Sequence, residues 1–253
     1  MKVLVCLSYL LNTLESNIKI KQYLYLFINI GCIIIPFVFS FLLKHKFYKQ
    51  WRYFVPANII IAILFLIWDH IFVEMGVWGF RSDYLTGLFI THNIPLEEGL
   101  FFICIPYACV FTYFVIREYY PKINLIYKSR ITISILIILS SILFISNIDK
   151  MYTAYTFGLL SIVLLFCLYR KINLLTITIS FISILPFMFL SNGLLTGMFI
   201  ENEVVWYNDV QNVGFRIFTI PIEDFFYGYL LILLNVLLYE AFKNFNFPNF
   251  IKS

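Results

Sequence analysis

Long apolar runs alternate with short polar segments along almost the whole chain. Seven of these runs approach or exceed the roughly 17–25 residues that a helix needs to cross a bilayer. They cover Gln22–Leu43, Phe54–Val73, Gly99–Arg117, Ile131–Asn147, Tyr152–Tyr169, Leu174–Leu190 and Phe225–Phe242, the fourth and sixth being the shortest. The pattern predicts an all-α polytopic membrane protein with seven transmembrane helices. Met1–Leu14 is also apolar but too short to span, and no A-x-A-like cleavage site follows it. It reads as an interfacial extension or as the product of an upstream start codon.

Composition narrows the class further. Of 253 residues, 62% are apolar and 13% charged, against about 25% charged in soluble domains. The mean hydropathy is +0.89. One soluble core of this size has no room for so much apolar surface, and disorder needs the opposite balance. The net charge of +4 is spread thinly with no basic run, so nothing points to a nucleic-acid partner. Cys6, Cys32, Cys104, Cys109 and Cys167 form no C-x-x-C pair. His45, His70 and His92 are dispersed, so spacing predicts no metal site, although folding can still gather them.

Charge sets an orientation. Loops 44–53, 117–130 and 170–173 and the C-terminal tail share one side and hold two thirds of the 18 Lys and Arg. The richer side is expected to be cytoplasmic, which places the N-terminus outside. The cluster Lys2, Lys19 and Lys21 opposes that assignment. The expected location is the cell membrane, as a multi-pass protein.

Two long loops resemble each other. The first ends Asn93-Ile94-Pro95-Leu96-Glu97-Glu98 and runs into Phe101-Phe102; the second ends Thr219-Ile220-Pro221-Ile222-Glu223-Asp224 and runs into Phe225-Phe226-Tyr227. A tryptophan patch precedes each, around Trp78 and Trp206, and a polar residue closes each preceding span, Asp69 and Asn192. Spans 1–3 therefore match spans 5–7, with span 4 as an inverting linker. Repeats four crossings apart run the same way, as in parallel transporter repeats, and both motifs then lie at one membrane face. The chain divides into an extension (1–21), a first three-helix repeat (22–120), a linker helix (121–150), a second repeat (151–246) and a tail (247–253).

A proline at the first helical position and acids in the first turn make good helix starts and nothing more. Two such starts inside a membrane are costly, and carboxylates there are usually functional. Carboxyl groups side by side in a low-dielectric pocket resist ionisation, so one can hold a proton while another accepts. Trp68, Trp78, Tyr84, Trp206, Tyr207 and Tyr227 accompany them, and aromatic faces stabilise a cation by roughly 0.5–2 kcal/mol each, although Trp and Tyr also belt membrane interfaces. Acid, base and aromatic cage together fit carbocation chemistry on a hydrophobic substrate. No cofactor is called for, since no G-x-G-x-x-G, P-loop or C-x-x-C-H motif is present.

The stretches Phe65-Leu66-Ile67-Trp68-Asp69, Gly76-Val77-Trp78-Gly79-Phe80, Tyr84-Leu85-Thr86-Gly87, Pro95-Leu96-Glu97-Glu98 and Ile105-Pro106-Tyr107, with their second-half counterparts, resemble the membrane-integral lycopene cyclases in their fused, two-repeat form. That resemblance spans about Tyr23 to Glu240. It implies β-cyclisation of the ends of lycopene or another linear carotenoid, with Glu97, Glu98, Glu223 and Asp224 as catalytic carboxyls. The repeat-invariant Glu97 and Glu223 are expected to matter most. Trp68, Asp69, Trp78, Tyr84, Asn192, Trp206, Tyr207 and Tyr227 are the expected substrate contacts, and other carotenoid enzymes are candidate partners beside the lipid bilayer. Arg81 and Arg216 are alternative partners for the acids. The rival reading is a transporter of the same 3+1+3 plan with proton-coupling carboxylates. A retinal-type receptor needs a mid-membrane lysine, which Phe225–Phe242 lacks, and a prenyltransferase needs paired Asp-rich metal sites.

Overall fold

Among the described residues the apolar runs become seven helices. The computed structural model describes residues 21–42, 44, 46–120 and 126–244. The apolar segment Met1–Leu14, residues 15–20 of the extension and the tail 247–253 lie outside the described residues. In chain order the helices are α1 (Leu24–Leu42), α2 (Trp51–Glu74), α3 (Leu96–Tyr119), α4 (Ile126–Ser146), α5 (Met151–Tyr169), α6 (Leu175–Leu195) and α7 (Ile222–Asn244). All but α4 are long and apolar enough to cross a membrane, and α4 is apolar over Arg130–Ser146, at the short end of bilayer-spanning length. Exposed Ile35, Leu42, Ile63, Ile138 and Phe187 give the bundle an apolar outer surface, as lipid contact requires.

The boundaries shift where polar residues find partners inside the bundle. Helix α6 runs on through Ser191 and Asn192 to Leu195, because Asn192 donates to Asp224 instead of facing lipid. Pro95 is not the first helical residue: it is extended (ψ 155°) and precedes α3, leaving Glu97 and Glu98 in the first turn. Pro221 likewise ends the short strand β4 (Ile220–Pro221) just before α7. Both acidic pairs still sit at the positive end of a helix dipole.

The halves α1–α3 and α5–α7 meet along α2 and α7, while α4 lies along α5. Buried Asn58 on α2 donates to Asn235 on α7 (3.1 Å) and to the Phe102 carbonyl (2.9 Å). At the far end Arg117 pairs with Glu240. At the motif end, strands β1 (Trp78–Phe80) and β2 (Val205–Tyr207), one from each half, pair antiparallel with Gly79 opposite Trp206. A Cβ on Gly79 would lie 2.5 Å from Trp206 Cζ2, so only glycine lets the indole lie flat on the strand. A second two-stranded turn joins β3 (Arg216–Ile217) to β4.

Candidate active site

The second acid of each motif faces inward, and each is gripped by the same elements of its own half. In the first half, Tyr25 at the start of α1 donates to Glu98 Oε2 at 2.5 Å, and Asp69 at the end of α2 shares a cavity wall with Glu98, its Oδ1 accepting the Tyr227 hydroxyl at 3.5 Å. In the second half, Tyr152 at the start of α5 donates to Asp224 Oδ1 at 2.6 Å. Asn192 at the end of α6 donates to Asp224 Oδ2 at 2.7 Å. Tyr207 on β2 adds a third bond to Asp224 Oδ2, at 3.1 Å. Burial, then the Asp224 carboxylate beside it, pushes the Tyr207 phenol well above its ordinary range, so Tyr207 stays a neutral donor.

One difference separates the halves. An ionised carboxylate only accepts hydrogen bonds, so a bond between two carboxyl groups needs a proton held between them. Asp69 and Glu98 bring two carboxyls to one cavity wall, an arrangement that suits a shared proton. Asp224 meets an amide and two phenols, all donors, a set matched to an ionised carboxylate.

The first acid of each motif points elsewhere. Glu97 Oε1 accepts the Thr86 N–H at 2.6 Å. Glu223 Oε1 accepts the Val213 N–H at 2.7 Å and the Thr153 hydroxyl at 2.6 Å. Both are buried, and each ties down the loop that leads into its own helix. Beside Thr86, Gly87 takes φ +82°, a left-handed conformation that lets the loop turn there. Adjacent helical residues point about 100° apart, so only one acid of each pair faces the cavity. It is Glu98 and Asp224 that the cavity wall includes, while Glu97 and Glu223 turn to their loops.

Glu98 and Asp224 line one cavity of about 530 Å³, together with Asp69, Asn192, Trp78, Tyr207 and Tyr227. Within it Trp78 meets Tyr152 edge-on at 5.0 Å, and Tyr207 stacks on Tyr152 at 5.8 Å. The rest of the wall is apolar, largely from α1 and α6. Ile35 on α1 and Phe187 on α6 both line the cavity and are 62% and 67% exposed. The space therefore opens sideways between these helices, toward lipid.

Five of the expected residues are not in this wall. Glu97 and Glu223 hold loops. Trp68 stands behind Tyr227, with ring centroids 5.1 Å apart. Tyr84 is buried in a separate cluster with Tyr25, Leu195 and Val204, where its hydroxyl accepts the Asn202 N–H at 3.3 Å. Trp206 lies on the opposite face of the β1–β2 ribbon from Trp78 and Tyr207, because strand side chains alternate. Arg81 and Arg216 do not contact the acids; they pair with Glu203 at 2.7 Å and Asp209 at 2.5 Å. Sequence reasoning missed Tyr25 and Tyr152. Their signal was positional, since each falls in the first turns of the first helix of its repeat.

A family model described as lycopene cyclase matches residues 22–116 and 149–242. The chain belongs to the lycopene cyclase family. No curated protein and no solved structure matches it. The two matched segments coincide with the α1–α3 and α5–α7 halves, and the interval between them holds α4. Membership in the family implies a carotenoid substrate and a cyclase activity, and the apolar helices suit a membrane.

Proposed function

We propose that this protein is a lycopene β-cyclase in which Glu98 delivers the initiating proton and Asp224 takes up the final one. The observation that carries this reading is the exchange of Asp69 in the first half for Asn192 in the second. A carboxyl partner leaves Glu98 with a proton to give, and an amide partner leaves Asp224 with a lone pair to receive one. That separation of acid and base by environment is how paired carboxyls divide their work.

The steps balance without an oxidant. The proton on Glu98 adds to the terminal double bond of the polyene and generates a tertiary cation. The π electrons of a nearby double bond attack that cation, close a six-membered ring and move the charge onto a ring carbon. Loss of a ring proton to Asp224 forms the ring double bond. The product is an isomer of the substrate, and the proton returns from Asp224 to Glu98 within the same cavity. Trp78, Tyr152, Tyr207 and Tyr227 present π surface to the cation, worth roughly 0.5–2 kcal/mol per face, and the apolar wall excludes water that would quench it.

The sideways opening supports a substrate that stays in the bilayer and inserts one end at a time. A wall dominated by apolar side chains favours this reading over a solute transporter. The two halves, residues 22–120 and 151–246, supply acid and base respectively, with 121–150 linking them. We take the protein to be multi-pass in the cell membrane, with its motif face outside. Expression in lycopene-accumulating bacteria, with pigment analysis by chromatography, tests the assignment. β-Ring carotenoids are expected. A membrane-inserted protein that leaves lycopene untouched, or forms only ε rings, overturns it.

A further inference from the structure

At the motif end, outside the cavity, the fold assembles a cluster that sequence spacing disperses. His70 and Glu74 are four residues apart on α2 and so share a face. His92 arrives from the loop before α3, with Nε2 2.6 Å from Glu74 Oε1. The two imidazole rings stand perpendicular at 5.3 Å. One potential ligand atom from each of His70, Glu74 and His92 lies within 4.8 Å of the others.

Asn93 fixes the chemistry of His70. Its amide nitrogen donates to Glu74 Oε1 at 2.7 Å and to the His70 carbonyl at 3.2 Å. Its Oδ1 therefore faces His70 Nδ1, at 2.7 Å, and also accepts the Thr91 hydroxyl at 2.8 Å. An acceptor there requires Nδ1 to carry the hydrogen, which leaves Nε2 of His70 as the lone-pair nitrogen. Orientation of a ligating histidine through its other ring nitrogen is the usual outer-shell arrangement of metal sites. The cluster is confined to one half. With Asn192 matching Asp69, the positions matching His70 and Glu74 are Gly193 and Gly197, so the arrangement is no part of the repeat-shared architecture.

We propose that His70, Glu74 and His92 form a three-ligand site for a divalent transition metal of the zinc class. Two imidazoles and one carboxylate make a ligand set that zinc accepts with a fourth position open, whereas calcium and magnesium prefer oxygen ligands. Ligand atoms around tetrahedral zinc sit about 3.4 Å apart. Binding would open the His92–Glu74 contact, now 2.6 Å, and draw His70 in, and Glu74 and His92 are exposed enough to move. The metal would clip the loop before Pro95 onto the end of α2. Because it lies outside the cavity, its role is structural.

The test uses the full chain, purified in detergent with a histidine-free tag, stripped with chelator and titrated with Zn²⁺ or Co²⁺. Wild type is expected to bind one equivalent, to show tetrahedral Co²⁺ absorption and to melt at a higher temperature when loaded. Asn93→Ala should weaken binding by about 10–100-fold, and His92→Gln should weaken it further while still forming cyclic carotenoid in lycopene-accumulating cells. Affinity in a His70→Gln/His92→Gln double variant equal to wild type, or no saturable binding by folded wild type, overturns the proposal without touching the cyclase assignment.

Discussion

Asp69→Asn probes the proposed division of labour most directly. The substitution is isosteric at a buried position, 2% exposed, whose carboxyl shares the cavity wall with Glu98. It rebuilds around Glu98 the environment that Asn192 gives Asp224: an amide donor beside a Tyr hydroxyl. The amide satisfies Glu98 without a shared proton, so the acid is lost while packing is kept. A positioned general acid contributes about 10²–10⁴-fold, or roughly 2.7–5.4 kcal/mol of barrier at 1.36 kcal/mol per decade. The expected loss lies in that range, with little change in melting temperature. The assay is lycopene consumption by isolated membranes, normalised to inserted protein and followed by chromatography. A rate within about twofold of wild type would refute both the shared proton and the choice of Glu98 as donor.

Other consequences separate chemistry from architecture. Glu97→Gln and Glu223→Gln keep an acceptor for Thr86 and Val213 and should retain conversion, whereas Glu98→Gln should abolish it; equal losses in all three, measured per folded molecule, would contradict the placement of the first acids on loops. Gly79→Ala drives a methyl to 2.5 Å from the Trp206 ring and should cost about 1–3 kcal/mol, read as a lower melting temperature that Trp206→Leu partly restores. Gly31 lines the cavity on α1 with nothing within 4 Å of its Cβ position. Gly31→Ala should therefore be silent and Gly31→Phe should block conversion without unfolding; normal turnover in the Phe variant would argue against access between α1 and α6.

The spans and the repeat were legible because both are written in hydropathy and in one contiguous motif. The site was legible only to the resolution of that motif. Glu97-Glu98 reads as a unit in sequence, but on a helix the neighbours part, and conservation of type between halves follows the loop anchor, not the cavity. Matching Trp78 to Trp206 looked natural, yet the ribbon pairs Gly79 with Trp206. A one-residue slip on a strand exchanges faces, which is why Trp206 leaves the wall and Tyr207 stays. Tyr25 was illegible because a lone tyrosine near a span end is what any membrane interface offers. The His70–Glu74–His92 cluster needed the loop's path, which no spacing encodes.

On the proposed division of labour, the Asp69/Asn192 difference between the halves separates acid from base, while the matched Glu97 and Glu223 tie loops. Glu97 and Glu223 agree and tie loops; Glu98 and Asp224 differ, as do their partners Asp69 and Asn192. Two identical sites would provide two acids or two bases, and the reaction needs one of each. The cavity is also one-sided, opening between α1 and α6, so a substrate end meets Glu98 and Asp224 in a fixed sense. Acid and base are therefore not interchangeable even if their partners are exchanged. Asn192→Asp alone should give Asp224 a carboxyl partner and lower the rate by about 10²-fold or more as the base is lost. Combining Asp69→Asn with Asn192→Asp swaps the two environments completely, yet the opening stays where it is. The double variant should be no faster than either single one, assayed in the same membranes. Recovery to within tenfold of wild type would mean that the substrate reads the two carboxyls symmetrically, and that the one-sided cavity does not set the direction of proton flow.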